Sequence, residues 1–205
     1  MEKTQKLLVE YIPLSYSLQE LNEAVANNGK IRIKAILQRA DQKNQNERVY
    51  PKAILAREAQ KYLTEFVAQH RALGELDHPE ARTVVNLSNV SHNIVSMHWE
   101  GNDLVGIVEV LSTPSGNIVK SLMQSGIRLG MSSRGVGSVS PTGGVGESAN
   151  SVVVDEDYNL ICFDIVSNPS TPGAFMGEGI SHALEANRTL RINNLIGDFF
   201  SEIGR

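Results

Sequence analysis

The sequence of this 205-residue chain predicts an α+β fold with a mostly antiparallel β core, or a β-barrel decorated with helices. About six or seven segments carry strand patterns and three or four carry helical patterns. Their order is not regularly βαβ, which disfavours a parallel nucleotide-binding sheet. Two of the strand segments are joined by a short Gly-Asn-Asp connection, which is typical of an antiparallel hairpin.

Composition and charge limit the class of protein. The chain is 41% hydrophobic and 20% charged, as in an ordinary folded domain. Its net charge of −4 argues against a broad nucleic-acid surface. The single cysteine, Cys162, excludes an intrachain disulfide and a multi-cysteine metal site. Since no run approaches the ~20 apolar residues of a membrane-spanning helix, we expect a cytosolic protein without membrane contact.

The first half of the chain predicts two strands, each followed by a helix. KLLVEYI at residues 6–12 has a strand pattern, and the helix at 17–29 has a capping box, Ser17 to Glu20, and a terminal Gly29. KIRIKAILQ at 30–38 alternates isoleucine with basic residues, which is the period of a half-buried strand. Pro51 suits the first turn of a second helix, with an apolar face formed by Ile54, Leu55, Tyr62, Leu63, Phe66 and Val67 and an end near His70.

The second half predicts further strands and one more helix. Residues 72–85 contain a glycine and a proline, which predict a short extended piece ending in a turn. The remaining predicted elements are strands at 89–100 and 103–111, a helix at 115–127, and strands at 151–156 and 159–166. We expect one domain over residues 1–180 and a helical or partly flexible tail over 181–205, whose apolar residues repeat at helical spacing.

The segment GMSSRG at residues 130–135 follows the predicted helix and its exit turn, and it has two readings. Glycine, serine and arginine are ordinary loop residues, so a turn, or a bulged strand with solvated serines, is the commoner outcome. The alternative is a serine nucleophile, Ser132 or Ser133, with backbone amides and Arg134 as oxyanion donors. The segment lacks the Gly-Lys-Ser/Thr ending of a phosphate loop.

A serine nucleophile needs a base, and His78 is the best candidate among the five histidines. It precedes Pro79, which restricts its backbone, in a loop that also contains two acids. We interpret the other histidines as surface or packed side chains: His70, His92, His98 and His182. A metal site built from His78, His92 and His98 is a rival hypothesis, although their spacing is not typical of zinc ligands.

The base needs an acid that holds its tautomer, and Asp164 is the best candidate. It lies in an otherwise apolar strand, where an inward-pointing carboxylate requires a partner. Cys162 alternates onto the same face, and a buried inert thiol is its commoner role. The acids at 155–157 fit a solvated hairpin tip, and Asp77 is a sequence neighbour of His78 that seldom faces its own imidazole.

Four segments together resemble the prohead core proteases of T-even-like tailed bacteriophages, which are related to herpesvirus assemblin-type proteases. They are NERVYPKAIL at 46–55, ALGELDHP at 72–79, WEGNDLVG at 99–106 and GMSSRGVGS at 130–138. The resemblance implies an assemblin-like, barrel-like β core surrounded by helices. It implies His78 as catalytic base, Ser132 as nucleophile and Asp164 as third member, with oxyanion support at Ser133 and Arg134. It implies neither a metal nor a cofactor.

The resemblance also implies a function. The expected activity is a serine endopeptidase that cuts scaffold or core proteins and the major capsid protein precursor inside the assembling prohead, in the host cytoplasm. Cleavage is expected after glutamate, and self-cleavage after Glu10, Glu20 or Glu202 is a further hypothesis. No direct nucleic-acid binding is expected, and a homo-oligomer is left open. The rival hypotheses are a non-enzymatic capsid assembly protein and a metallohydrolase.

Overall fold

The computed structural model of the protein describes residues 5–14, 30–44, 46–78, 82–141 and 151–167. The chain divides into two compact units, Met1–Pro172 and Gly173–Arg205, and every described residue lies in the first. The predicted helix at 17–29, the predicted boundary at residue 180 and the predicted tail at 181–205 lie outside the described residues.

The described residues form ten strands and two α-helices. The strands are β1 (Lys6–Pro13), β2 (Ile31–Arg39), β3 (Arg48–Val49), β4 (Leu73–Glu75), β5 (Val90–Glu100), β6 (Asp103–Val110), β7 (Gly130–Gly137), β8 (Val139–Pro141), β9 (Val152–Val154) and β10 (Asn159–Val166). The helices are α1 (Lys52–Tyr62), which continues as a π-helical turn at Leu63–Val67, and α2 (Pro114–Gln124). A 3₁₀ turn spans Leu87–Asn89. No helix within these ranges is long and apolar enough to span a membrane.

The strands belong to three sheets. One sheet has the order β1-β7-β10 and a second has the order β2-β6-β5-β4, and both are antiparallel throughout. The third, β3-β9-β8, contains one parallel pair, β3 with β9. The mostly antiparallel character is therefore confirmed. Across the described ranges, the strands do not close into a single barrel.

The elements with a clear sequence period are confirmed. Strand β2 buries Ile31, Ile33 and Ala35 and exposes Arg32 and Lys34, which alternate with them. The Gly-Asn-Asp connection joins β5 to β6 as an antiparallel hairpin. Helix α1 begins after Pro51 and packs the Tyr62 ring edge-on against Phe163 of β10, with ring centroids 5.5 Å apart. This contact covers one face of the first sheet.

The described residues form ten strands where six or seven were predicted, because β3, β7 and β8 were not predicted as strands. Strands β3, β4, β8 and β9 have only two or three residues each. Such strands are too short to show an alternating sequence period, although β9 lies within the predicted strand at 151–156. Their positions are set by pairing with other strands.

The glycine-rich segment GMSSRG is not a turn, since it forms most of the central strand of the first sheet, β7. Residues 130–135 are all buried. The ring of Tyr158 lies so close to Gly135 that a Cβ there would come within 2.5 Å of it. Glycine is therefore needed for close packing in this strand.

Strand β10 connects the first sheet to β4 of the second sheet. Leu76 forms a parallel bridge with Ile165, and the Asp77 amide donates a 2.7 Å hydrogen bond to the Ile165 carbonyl. A Cβ at Gly74 would lie 2.0 Å from the Phe163 carbonyl oxygen, so only glycine allows β4 to approach β10 this closely. This junction brings the segment after β4 over the face of β7.

Candidate active site

The structure brings His78, Ser132 and Asp164 together. Ser132 lies in the middle of β7, and Asp164 of β10 is its direct partner in the antiparallel register. Paired residues in neighbouring strands point to the same face, so the serine and the aspartate share one side of the sheet. His78 follows β4 and its bridge to β10, above that same side.

The three side chains form one hydrogen-bonded row. His78 Nε2 lies 2.6 Å from Ser132 Oγ, and His78 Nδ1 lies 2.9 Å from Asp164 Oδ2. With a proton on Nδ1, the imidazole donates to the carboxylate while Nε2 accepts from the serine hydroxyl. Ser132 and Asp164 are buried, whereas the imidazole side chain is 21% exposed. The row therefore reaches solvent at the histidine.

The backbone conformation at Asp77 orients the His78 imidazole. Asp77 has a φ of 67°, in the left-handed region that few residues other than glycine adopt. Its carboxylate accepts a 2.9 Å hydrogen bond from the His78 backbone N–H. The Asp77 carboxylate therefore binds the main chain, and the imidazole faces Asp164, which agrees with the expectation that Asp77 does not face its own imidazole.

The Asp164 carboxylate is buried and ionised. Burial by itself raises the pKa of Asp164. The hydrogen bond with His78 and the charge of Arg134 outweigh burial, and a further bond from the Glu75 amide acts in the same direction, so the pKa lies below its ordinary value. At neutral pH the row therefore ends on a negative charge that can stabilise an imidazolium.

Arg134 and Ser133 are not placed as oxyanion donors. The Arg134 side chain is wholly buried and forms an ion pair with Asp164, so its guanidinium lies beneath the site. Ser133 is buried on the opposite face of β7, since side chains alternate along a strand. Strands β1 and β10 pair with both edges of β7, so the backbone amides of these two residues point into the sheet.

A cleft of about 350 Å³ opens beside His78 and Ser132. Among its described lining residues, Arg48 is the single lysine or arginine. Arg48 Nη1 donates to Glu10 Oε1 at 3.0 Å, and Nδ2 of the Asn46 side chain donates to Glu10 Oε2 at 3.0 Å. Sequence reasoning missed Arg48 and Asn46 as functional candidates, although both lie within the segment NERVYPKAIL.

His92 and His98 make no hydrogen bond with the three side chains of this row, and His182 lies outside the described residues. His92 is fully buried, and its Nε2 lies 3.0 Å from the Phe163 carbonyl oxygen. Burial lowers its pKa to about 4, so it is neutral at physiological pH. His98 lies on the surface beside Glu100. The three proposed metal ligands do not converge, and the described residues contain no group of acids, histidines or cysteines suited to a metal.

Cys162 is close to the row but is not arranged as a nucleophile. It lies on the same face as Asp164 and is fully buried. Burial raises the pKa of its thiol well above the ordinary value, so the thiolate is not populated at neutral pH. The sequence interpretation of a buried, unreactive thiol agrees with this environment.

Comparison with known proteins gives consistent matches. A family model described as prohead core protein serine protease matches residues 10–183. The prohead core protein protease of Enterobacteria phage T4 is 34% identical over 147 residues, which are 70% of this chain. The aligned region covers 66% of that relative, just under two thirds of its length. The solved structure of the bacteriophage T4 capsid assembly protease matches with a TM-score of 0.67 and 27% identity, covering 80% of this chain and 99% of that one.

Proposed function

The chain belongs to the prohead core protein serine protease family, and on that premise we propose that it is a serine endopeptidase of phage prohead maturation. Its substrates are scaffold or core proteins and the major capsid protein precursor, cleaved inside the assembling prohead in the host cytoplasm. One observation carries the proposal: His78 lies within hydrogen-bond distance of both Ser132 and Asp164. This is the order of contacts that an activated serine requires.

The mechanism follows from the direction of these hydrogen bonds. Ser132 Oγ attacks the scissile carbonyl carbon while its proton passes to His78 Nε2. Asp164 stabilises the imidazolium, which then gives the proton to the leaving amine as the C–N bond breaks. Water, deprotonated by the same histidine, hydrolyses the acyl-enzyme and restores the serine. These steps use side chains of this chain and one water molecule.

We also propose that the described state is latent. The negative oxygen of the tetrahedral intermediate needs positioned donors, and the amides of Ser133 and Arg134 point into the sheet. A protease packed together with its substrates benefits from a site that is completed only when substrate binds. Structures of residues 131–135 with and without a bound substrate analogue test this, and an unchanged backbone in both would contradict it.

Cleavage after glutamate is supported by the cation in the cleft. Arg48 already binds one carboxylate of its own chain, that of Glu10, through Nη1. A guanidinium has five N–H donors in a fixed fork, and the Arg48 side chain is 23% exposed, so solvent screens the second negative charge when a further carboxylate binds. We therefore assign Arg48 to recognition of the glutamate that precedes the scissile bond.

We expect Arg48→Gln to lower kcat/KM for a glutamate-containing peptide by about 10- to 100-fold, since a charged hydrogen bond contributes roughly 1.5–3 kcal/mol. The corresponding glutamine-containing peptide should lose little, so the preference between the two peptides falls. Arg39→Gln is the matched control, because Arg39 binds Asp103 away from the cleft. An unchanged preference in Arg48→Gln would contradict the assignment.

The fold limits protease access to one of the predicted self-cleavage sites, the bond after Glu10. Glu10 lies in β1, which is paired with β7, and is 5% exposed. Cleavage needs an extended peptide free to enter a site, so β1 must first leave the sheet. Glu20 and Glu202 lie outside the described residues.

We expect incubation of active enzyme to give a new end after Glu10 slowly and together with loss of activity. The reason is that β1 supports the strand that holds Ser132. Intact-mass spectrometry, sampled alongside peptide cleavage, measures both. Rapid cleavage after Glu10 with full retention of activity would show that β1 is dispensable. Enzyme inactivated at Ser132 is the control for contaminating proteases.

A further inference from the structure

A buried cluster of three charged side chains lies under the candidate active site. Arg134 Nη2 lies 2.8 Å from Glu75 Oε1, and Arg134 Nε lies 2.9 Å from Asp164 Oδ2. The side chains of all three residues are at most 1% exposed. They come from β7, β4 and β10, so the cluster joins the two sheets that meet at the site. Sequence reasoning assigned no role to Glu75 and a different one to Arg134.

Glu75 contacts Asp164 in two ways. Its backbone amide donates a 3.0 Å hydrogen bond to Asp164 Oδ1, and its carboxylate shares the Arg134 guanidinium. The same carboxylate oxygen also accepts a 3.0 Å hydrogen bond from the Asn86 amide. Arg134 is fixed in turn by a 3.2 Å bond from Nη1 to the Arg82 carbonyl oxygen. Asp164 is therefore held in one position from below.

The charges in this cluster do not balance. Two carboxylates, Glu75 and Asp164, share a single guanidinium, so one negative charge remains. Burial raises the pKa values of the Tyr62 hydroxyl and the Cys162 thiol and lowers that of His92, so none of these neighbours supplies the missing charge. The ionisable groups that face Asp164 are Tyr62, Glu75, His78, His92, Arg134 and Cys162. Those that line the cleft together with His78 are Glu10, Arg48 and Asp77.

The remaining charge has one available partner at the site. An unpaired buried charge is costly, and the cluster becomes neutral when the His78 imidazole gains a proton. That is the state formed when the histidine takes the proton of Ser132. If Glu75 were absent, the guanidinium would neutralise Asp164, and the aspartate would attract the imidazolium less strongly.

We propose that Glu75 and Arg134 are positioning residues that act through Asp164. Arg134 fixes the orientation of Asp164. Glu75 pairs with the same guanidinium, so Arg134 neutralises Asp164 only in part, and the Asp164 carboxylate can still attract the proton on His78. The inference rests on the proposed function, because it gives Asp164 its role beside the base.

Glu75→Gln tests the proposal, since glutamine keeps the size and one oxygen of the side chain but removes its charge. Loss of a nearby negative charge weakens proton binding by His78, so the acid limb of the kcat profile should move down by about one pH unit. We expect kcat at the plateau to fall about tenfold with KM unchanged. Glu75→Asp keeps the charge and should keep the wild-type pH profile.

Glu58→Gln is the matched control. Glu58 is also buried, but it accepts hydrogen bonds from the Leu160 amide and Arg57, away from His78. Its loss should leave the pH profile unchanged. A purely structural role of Glu75 would lower the melting temperature without moving the pH profile, and either that result or failure of Glu75→Gln to fold would overturn the proposal.

A second measurement does not depend on activity. In chains that carry Ser132→Ala, NMR titration of the His78 imidazole should give a midpoint about one pH unit lower with Glu75→Gln than without it. If the midpoint shifts as expected but the wild-type chain cleaves no substrate, the proposed function is refuted and the electrostatic role of Glu75 stands. If the wild-type chain cleaves substrate but Glu75→Gln does not move the midpoint, the positioning role alone is refuted.

Discussion

Replacing Ser132 with alanine is expected to reduce cleavage of a glutamate-containing scaffold peptide by about 10⁴- to 10⁶-fold. The hydroxyl of Ser132 lies 2.6 Å from His78 Nε2, and the neighbouring Ser133 is buried on the other face of β7. No adjacent hydroxyl can therefore replace it. The substitution removes one oxygen, so circular dichroism should show an unchanged fold.

Ser133→Ala is the control for this prediction. It keeps the backbone amide and removes only a buried hydroxyl on the face of β7 away from His78, so we expect it to retain cleavage. A serine-directed fluorophosphonate, followed by peptide mapping, should label residue 132 in the wild type and in Ser133→Ala. Unchanged turnover by Ser132→Ala, or a label on another serine, would remove the proposed nucleophile.

Replacing Asp164 with asparagine is expected to lower kcat by about 10³- to 10⁴-fold while the fold is retained. The amide cannot carry the charge that stabilises the imidazolium, and its NH₂ group can force the wrong histidine tautomer. The fold survives because Arg134 keeps an ion pair with Glu75. Peptide cleavage rates and thermal melting measured on the same preparation separate these two effects.

Asp157→Asn is the matched substitution for a surface acid. Asp157 accepts hydrogen bonds from the amide and hydroxyl of Ser138, at the turn before β10. We expect this variant to cleave at the wild-type rate. If Asp157→Asn lost activity while Asp164→Asn retained it, the third member of the row would be misassigned.

The acid sensitivity of the fold follows from the same aspartate. Because the pKa of Asp164 lies below its ordinary value, its contribution to the free energy of unfolding is present above the ordinary aspartate pKa. That contribution is lost as the pH falls through the folded-state pKa.

Local patterns in the sequence predicted much of the fold. Alternation of isoleucine with basic residues predicted β2, and a strong hairpin signal predicted β5 and β6. Pro51 and an apolar face predicted α1. These signals succeed because burial of one face is decided by the period of the element itself. The segment GMSSRG was predicted poorly, since its strand conformation depends on pairing with β1 and β10 and on cover by Tyr158.

By itself, the sequence determined the family and singled out His78 and Ser132, which lie in recognisable segments, and Asp164, which is an acid in an otherwise apolar strand. Only the tertiary structure decided the direction of Arg134, which faces Glu75, 59 residues away in the chain, instead of the substrate. It also decided that Arg48 lines the cleft. The physical reason is that a side chain in a sheet takes its direction from strand alternation and its charge partners from neighbouring strands, and neither is written in the local sequence.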